Sequence, residues 1–384
     1  MIKIIIWGFA IRFFVAVWNG FFGPSFGADG GDALSFHIGA VYYSGNLSFD
    51  EFKIGSFYSY VLGIFYFLVN DSLFFGSLLS CIAWLFSAVL LHRSMKLITM
   101  ELSSQRLAML FYVLFPSSIF FTSVTLREPY QLLFVNMAVY AALKVYIQKS
   151  FVHWSMLLVA VVGMGVLHGA LLLFGPLFLI GLTMMIMLRR RSGFSFVKLA
   201  VITPILAISV FYGWPLFSAV SYNLEDGFAS SVESFQYGAL STAARGNYRD
   251  DVSISGMLDL LLFLPLSLFQ YFFEPMPWRR LAVVDLPLLM ENVIRAWLIW
   301  KAVTGLRVMP LHNRRAVLFV FIAFLVIEVI WSVGTINWGT AARHHIPSFG
   351  LLLISAFAFS RRAHYRRSSL SLRRHKRHVF PARV

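Results

Sequence analysis

The sequence predicts an all-α, polytopic membrane protein of about ten to twelve transmembrane helices with a helical first outer loop. Three observations lead there. The 384 residues are 59% hydrophobic and only 13% charged, with 40 Phe and 10 Trp, whereas a soluble chain carries about a quarter charged residues. Apolar windows able to cross about 30 Å of hydrocarbon recur along the chain. Lys and Arg gather in alternate connections between those windows, as the positive-inside rule requires.

The long windows fall at 2–22, 73–91, 107–124, 129–147, 169–188, 196–217, 286–304 and 315–333, with shorter ones at 152–167 and 346–360. Residues 2–22 are apolar for too long and lack a small-residue cleavage site, so they read as a first membrane helix and not as a removed leader. Two further stretches are expected to enter or lie on the bilayer without crossing it. One, 56–69, is too short for an untilted span, and the other, 257–275, is split by Pro265, which removes a helix hydrogen bond.

With those two excluded, ten crossings put both termini inside. Basic clusters then share one side: Arg93, Lys96 and Arg106; Lys144 and Lys149; Arg189, Arg190, Arg191 and Lys198; Lys301, Arg307, Arg314 and Arg315; and the tail. The acids, which did not enter that choice, fall mostly opposite. Residues 1–360 are read as one transmembrane domain with outer loops at 23–72 and 218–256 and shorter outer pieces at 276–285 and 334–345. Residues 361–384 form a basic cytoplasmic tail. No repeat, linker or separate soluble domain is visible. The single cysteine, Cys81, excludes an intrachain disulfide. The net charge of +15 does not indicate nucleic acid: nine of the 32 Lys and Arg lie in the last 24 residues, which hold no acid and suit anionic lipid.

Charges near hydrocarbon cost a few kcal/mol each, so each needs a reason. The first loop opens GPSFGADGGDALSFH, with glycines at 20, 23, 27, 30 and 31 leaving the chain flexible beside the membrane. Asp29 and Asp32 precede a helical pattern in which Phe36, Ala40 and Tyr43 share a face. Asp32 either caps that helix or, with Asp29, presents a general base or a metal site. In LFPSSIFFTSVTLREP, a turn brings Arg127 and Glu128 to the membrane surface, and Pro129 starts the next helix where its missing N–H is harmless. Glu128 gains there from the helix dipole; the pair is either a capped turn with a local ion pair or part of a site. His168 sits between two crossings, as an interfacial histidine or a ligand.

Outer loops are normally poor in basic residues, yet Arg245, Arg249, Arg279, Arg280 and Arg343 all fall outside in this topology, the last followed by His344. Arginine makes bidentate hydrogen bonds to phosphate and carboxylate, so a ring of them, with Arg127, suits an anionic ligand; snorkelling to lipid phosphate is the competing explanation. P-loop, GxSxG, HExxH, CxxC-pair and Rossmann patterns are absent from the sequence.

Taken together these residues resemble the GT-C superfamily of lipid-carrier-dependent glycosyltransferases. The likeness lies in Arg12 within the first helix, the aspartate loop GADGGDALSFH, the polar turn Asn70–Asp71–Ser72 and the hairpin FPSSIFFTSVTLREP; FEPMPW and NWGTAARHH are similar to late segments of bacterial polysaccharide-assembly membrane proteins. It covers most of 1–190 and is patchier beyond. The resemblance implies transfer of a sugar, with inversion, from a polyprenyl-phosphate-linked donor to a glycan or glycolipid acceptor at the outer face of a bacterial inner membrane. A first-loop carboxylate, Asp32 in preference to Asp29, would deprotonate the acceptor. This chain spaces its acids as D-x-x-D where members often carry DE or DD, and the large soluble C-terminal domain of some members is not seen.

The chemistry fits independently. Nucleotide sugars do not reach the outer compartment, so a transferase there needs a membrane-borne donor. Fixed arginines stabilise the phosphate leaving group while a carboxylate accepts the proton. No essential cofactor is implied, although a divalent metal is compatible with the acids. A polymerase of lipid-linked repeat units would use the same surface with a larger donor. A flippase would call for inverted halves and mid-membrane charges, of which Arg12, Glu291, Arg295 and Glu328 are the candidates; Glu291 and Arg295, four apart, are expected to pair. A non-catalytic scaffold gives the outer arginines no role.

Overall fold

A computed structural model describes residues 1–22, 30–47, 54–189, 246–249 and 257–359. The expected crossing at 196–217, most of the loop 218–256, the tail 361–384, and the site candidates Asp29 and Arg245 lie outside the described residues. What is described is helical, without a strand; Asn247 and Asn337 form one isolated antiparallel bridge.

The first helix, α1 (Ile2–Phe21), buries Ile5, Gly8, Arg12, Ala16 and Asn19 along one stripe and exposes Ile6, Trp7, Phe13 and Phe14 on the other. Small and polar residues face protein and large apolar ones face outward, the reverse of a water-soluble helix. A Cβ on Gly8 would lie 2.6 Å from the Trp84 ring, so glycine is what lets α1 approach its neighbour. The first loop folds as a helical pair, α2 (Gly30–Gly45) on α3 (Phe57–Leu68). Ser72 then accepts a hydrogen bond from the Phe75 N–H at 3.1 Å and caps α4 (Leu73–Leu97).

The window at 107–124 is not one helix. Pro116 has no N–H and disfavours a helical residue before it, so Phe115 is extended between α5 (Leu102–Leu114) and α6 (Pro116–Phe121). The next helices follow the sequence expectation closely: α7 (Glu128–Gln148), α8 (His153–Leu167) and α9 (Gly169–Arg189).

In the C-terminal half, α10 (Met257–Phe273) runs unbroken through Pro265, against the expected split. Neighbouring helices let membrane helices keep an internal proline, and α10 is tied to a neighbouring helix two residues beyond Pro265, where Ser267 Oγ donates to the Ser332 carbonyl at 2.6 Å. Then come α11 (Leu286–Val308), α12 (Leu311–Gly334), the short α13 (Trp338–His344) and α14 (Ile346–Phe357). All of α14 is buried, so it is the central post of the bundle, packed against α5, α7, α11 and α12. Among the described residues five helices are long and apolar enough to cross a membrane: α1, α4, α7, α9 over Gly169–Met187 and α12 over Asn313–Gly334. α11 has the length but carries Glu291, Arg295, Lys301 and Arg307.

Arg12 is wholly buried and, among the described residues, pairs with no carboxylate. Its Nε donates to Thr122 Oγ1 at 2.7 Å, Nη2 to Ser118 Oγ at 3.1 Å, and Nη1 to the Gly8 and Val113 carbonyls at 3.1 and 3.0 Å. Its guanidinium lies 3.7 Å from the centre of the Trp84 ring. Four helices, α1, α4, α5 and α6, thus meet on one cation, whose charge is spread over neutral acceptors and a π face. Arg12→Met leaves those acceptors short of a donor in a dry interior. The expected loss is roughly 3 kcal/mol, seen as a lowered Tm in detergent; an unchanged Tm would show that α1 is held by apolar packing alone.

Candidate functional site

Three chain segments far apart in sequence meet at one end of the bundle. Asp32 lies in the first turn of α2, Glu128 opens α7 ahead of Pro129, and Arg343 ends α13. Arg343 donates from Nε and Nη2 to Glu128 Oε1 at 3.0 and 2.6 Å, and from Nη1 to Asp32 Oδ2 at 2.5 Å. The partners are 215 and 311 residues away along the chain.

Exposure divides the two acids. The Asp32 side chain is 58% exposed and the Glu128 side chain 2%, with Arg343 at 15% between them. Burial by itself would lower the Arg343 pKa, but Glu128 and Asp32 more than reverse this and hold the guanidinium charged. Asp32 is therefore bound to Arg343 within its helix's first turn, where the sequence allowed a capping role. Glu128 is not at the surface, and its partner is Arg343, not the neighbouring Arg127 that a local ion pair would need. The reason is directional: Arg127 Nη1 points to the Leu167 carbonyl at 3.4 Å, and its guanidinium lies 5.6 Å from the Phe36 ring centre.

Two imidazoles complete this end. His168, extended between α8 and α9, accepts the Ala170 N–H at Nδ1 (3.1 Å), which leaves its proton on Nε2. His344 Nδ1 is 2.9 Å from Thr335 Oγ1, a hydroxyl that itself donates to the Trp331 carbonyl at 2.7 Å, so His344 carries its proton on Nδ1. The Trp331 ring stacks on His344 with centroids 3.9 Å apart, and His168 lies 5.7 Å from His344. Both titrate well below an ordinary histidine. Burial is the main cause for each; the cations Arg127 and Arg343 add to it for His168, and His168, Arg343 and Arg127 for His344.

The other predicted arginines bond elsewhere. Arg249 donates to Gln270 Oε1 at 2.8 Å and to Ser267 Oγ at 2.9 Å, and lies over the Phe263 ring. Arg279 is paired with Glu274 at 2.8 Å and reaches the Tyr248 carbonyl. Arg280 is exposed. Arg249 and Arg279 fasten the segment 246–249 to α10, a structural use that the sequence did not separate from ligand binding. Glu291 and Arg295 do not pair as expected: Glu291 receives the Ser117 N–H and Oγ at 2.6 Å each, and Arg295 Nη1 donates to Asn292 Oδ1. Glu328 accepts from Ser348 Oγ and binds His345 Nδ1 at 2.5 Å. Among the described residues no three His, Cys, Asp or Glu side chains gather as metal ligands.

Gln131 is the residue the sequence reading missed. It lies one turn beyond Glu128 and is 1% exposed. Its i, i+3 spacing from Glu128 was the available signal.

No protein-family model, curated protein or solved structure matches this chain.

Two outcomes follow. Arg343→Met strands the Glu128 charge in the interior and is expected to destabilise by about 3–5 kcal/mol, whereas Asp32→Asn at a half-open position changes stability by less than about 1 kcal/mol; equal Tm losses would contradict this division. The unfolded chain binds protons on His168 and His344 near pH 6.5, while the folded chain, with both pKa values depressed, does not. Their contribution is therefore intact above about pH 6.5 and fades as the pH falls. A Tm series from pH 7 to 5 should be flatter for His168→Gln/His344→Gln than for the parent.

Proposed function

We propose that this chain is a membrane glycosyltransferase of GT-C type that moves a sugar from a polyprenyl-phosphate-linked donor to a glycan or glycolipid acceptor. In this reading ten crossings leave both termini in the cytoplasm of a bacterium. The Asp32–Arg343–Glu128 cluster then faces the outer side of the inner membrane, where such a donor is the accessible form of activated sugar.

The observation that carries the reading is the unequal pair of acids on one arginine. Asp32 is open enough to meet an acceptor hydroxyl, and the guanidinium beside it can meet a phosphate. As the acceptor oxygen attacks the anomeric carbon, its proton passes to Asp32 and the carbon–oxygen bond to the carrier breaks. Negative charge grows on the departing polyprenyl phosphate. Arg343 and Arg127 supply fixed positive charge in a poorly hydrated place, where it acts most strongly. A bound phosphate would meet two guanidinium groups here, those of Arg343 and Arg127. The Arg343–Asp32 contact is the more exposed of the two carboxylate contacts and the one a phosphate can replace, leaving Asp32 unpaired as a base.

The test is sugar transfer by the purified protein from radiolabelled polyprenyl-phosphate sugars. Asp32→Asn is expected to slow transfer at least about 100-fold, and Arg343→Lys, which loses the forked geometry, at least about tenfold. Wild-type rates from both Asp32→Asn and Asp29→Asn would end the proposal. Ser35→Cys, exposed on α2, should react with a membrane-impermeant maleimide from outside intact cells; labelling only after lysis would remove the donor argument.

A further inference from the structure

The first turn of α7 carries an unusual concentration of unused hydrogen-bonding capacity. Twelve buried side-chain nitrogen and oxygen atoms have no hydrogen-bond partner among the described residues, and four of them sit within this one turn: Arg127 Nε, Glu128 Oε2, and Gln131 Oε1 and Nε2. The others are scattered one to a side chain. Glu128 and Gln131 are 2% and 1% exposed, so bulk water does not satisfy them. A buried amide with neither end bonded is expensive to keep, and an apolar side chain of the same shape would be cheaper. Such a group in a packed interior points to a ligand.

The four atoms also say which ligand. Two accept and two donate, on neighbouring side chains. A phosphate only accepts, and Glu128 would repel it. An ammonium only donates and would meet Arg127 and Arg343. A hydrocarbon tail would leave all four unmet. A pair of vicinal hydroxyls, each giving one hydrogen bond and taking another, matches the set.

We propose that Gln131, Glu128 Oε2 and Arg127 Nε form a subsite for the hydroxyl groups of the transferred sugar, which runs from the guanidinium groups that take the phosphate into the first turn of α7 as far as Gln131. This rests on the glycosyltransferase reading and narrows it: Glu128 holds the sugar and Arg343 and is not the proton acceptor.

The test compares binding of two kinds of lipid to the full chain in nanodiscs, by native mass spectrometry or a tritiated-lipid filter assay. The probes are bare polyprenyl phosphate and polyprenyl-phosphate glucose, mannose and galactose. The parent protein is expected to bind at least one glycosylated lipid more tightly than the bare one. Gln131→Met is expected to lose at least about tenfold in that affinity, keep its affinity for bare polyprenyl phosphate, and unfold at a higher temperature than the parent. A lower Tm for Gln131→Met with sugar preference intact would mean that the amide is met by structural water, and the inference falls. So it does if neither Gln131→Met nor Gln131→Leu folds, or if the parent binds bare and glycosylated carriers alike. Failure of the parent to bind any of the lipids instead removes the glycosyltransferase reading, and the subsite with it.

Discussion

Within hydrocarbon, a polar group that finds no partner in the protein finds none at all. That constraint organises this molecule more than hydrophobic burial does, because most of its surface is apolar in any case. Arg12 distributes four hydrogen bonds over two hydroxyls and two carbonyls. Glu291 gives both oxygens to Ser117, and Glu328 takes His345 and Ser348. Ser87, Tyr112 and Asn136 join α4, α5 and α7 through their hydroxyls and an amide nitrogen. Each network reaches between helices, and most of these links join helices far apart in sequence. Where partners run short, as along the first turn of α7, the deficit is informative, since the rest of the bundle meets this demand so widely.

Sequence and structure agree best where a single helix decides the matter. The windows at 129–147, 152–167 and 169–188 match α7, α8 and α9 because composition and length alone set a membrane helix. They part where tertiary contacts decide. Pro116 ends a helix and Pro265 does not, although both interrupt apolar runs; α10 rests on α12 and is tied to it by the Ser267 hydroxyl just past the proline. The site shows the same division. The chemistry of Asp32, Glu128, Arg127 and Arg343 was legible as residue types that are costly in these positions. Which arginine serves the carboxylates was not, because nothing in local spacing distinguishes Arg343 from Arg249 or Arg279 when the partner lies 215 residues away. Gln131 went unread for the opposite reason: a neutral amide in a membrane helix raises no alarm until its partners are counted.

Arg343 owes its position to a mounting outside the acid cluster. The helix that bears it, α13, spans only seven residues and cannot hold itself. Asn337 caps it through the Gly339 and Thr340 N–H groups at 2.7 and 3.2 Å. The Trp338 indole donates to Asp285 at 3.2 Å, anchoring α13 to the start of α11. The segment 246–249 closes the other side: the Trp338 N–H meets the Gly246 carbonyl, the Tyr248 N–H meets that of Ile336, and the Tyr248 hydroxyl donates to the Thr335 carbonyl.

That mounting gives Arg249 and Arg279 a place in the same physics. Arg249 and Arg279 fix 246–249 to α10 and Glu274, and 246–249 in turn fixes α13. They bear on Arg343 through backbone position and not through charge. A loosened segment would let α13 shift, and the forked contact to Glu128, which depends on the plane of the guanidinium, would weaken before the single Asp32 contact did. The end of the loop 218–256 is therefore mechanically coupled to the Arg343 cluster even though none of its described side chains touches the two acids, and a charged loop residue can serve to hold such a cluster in place.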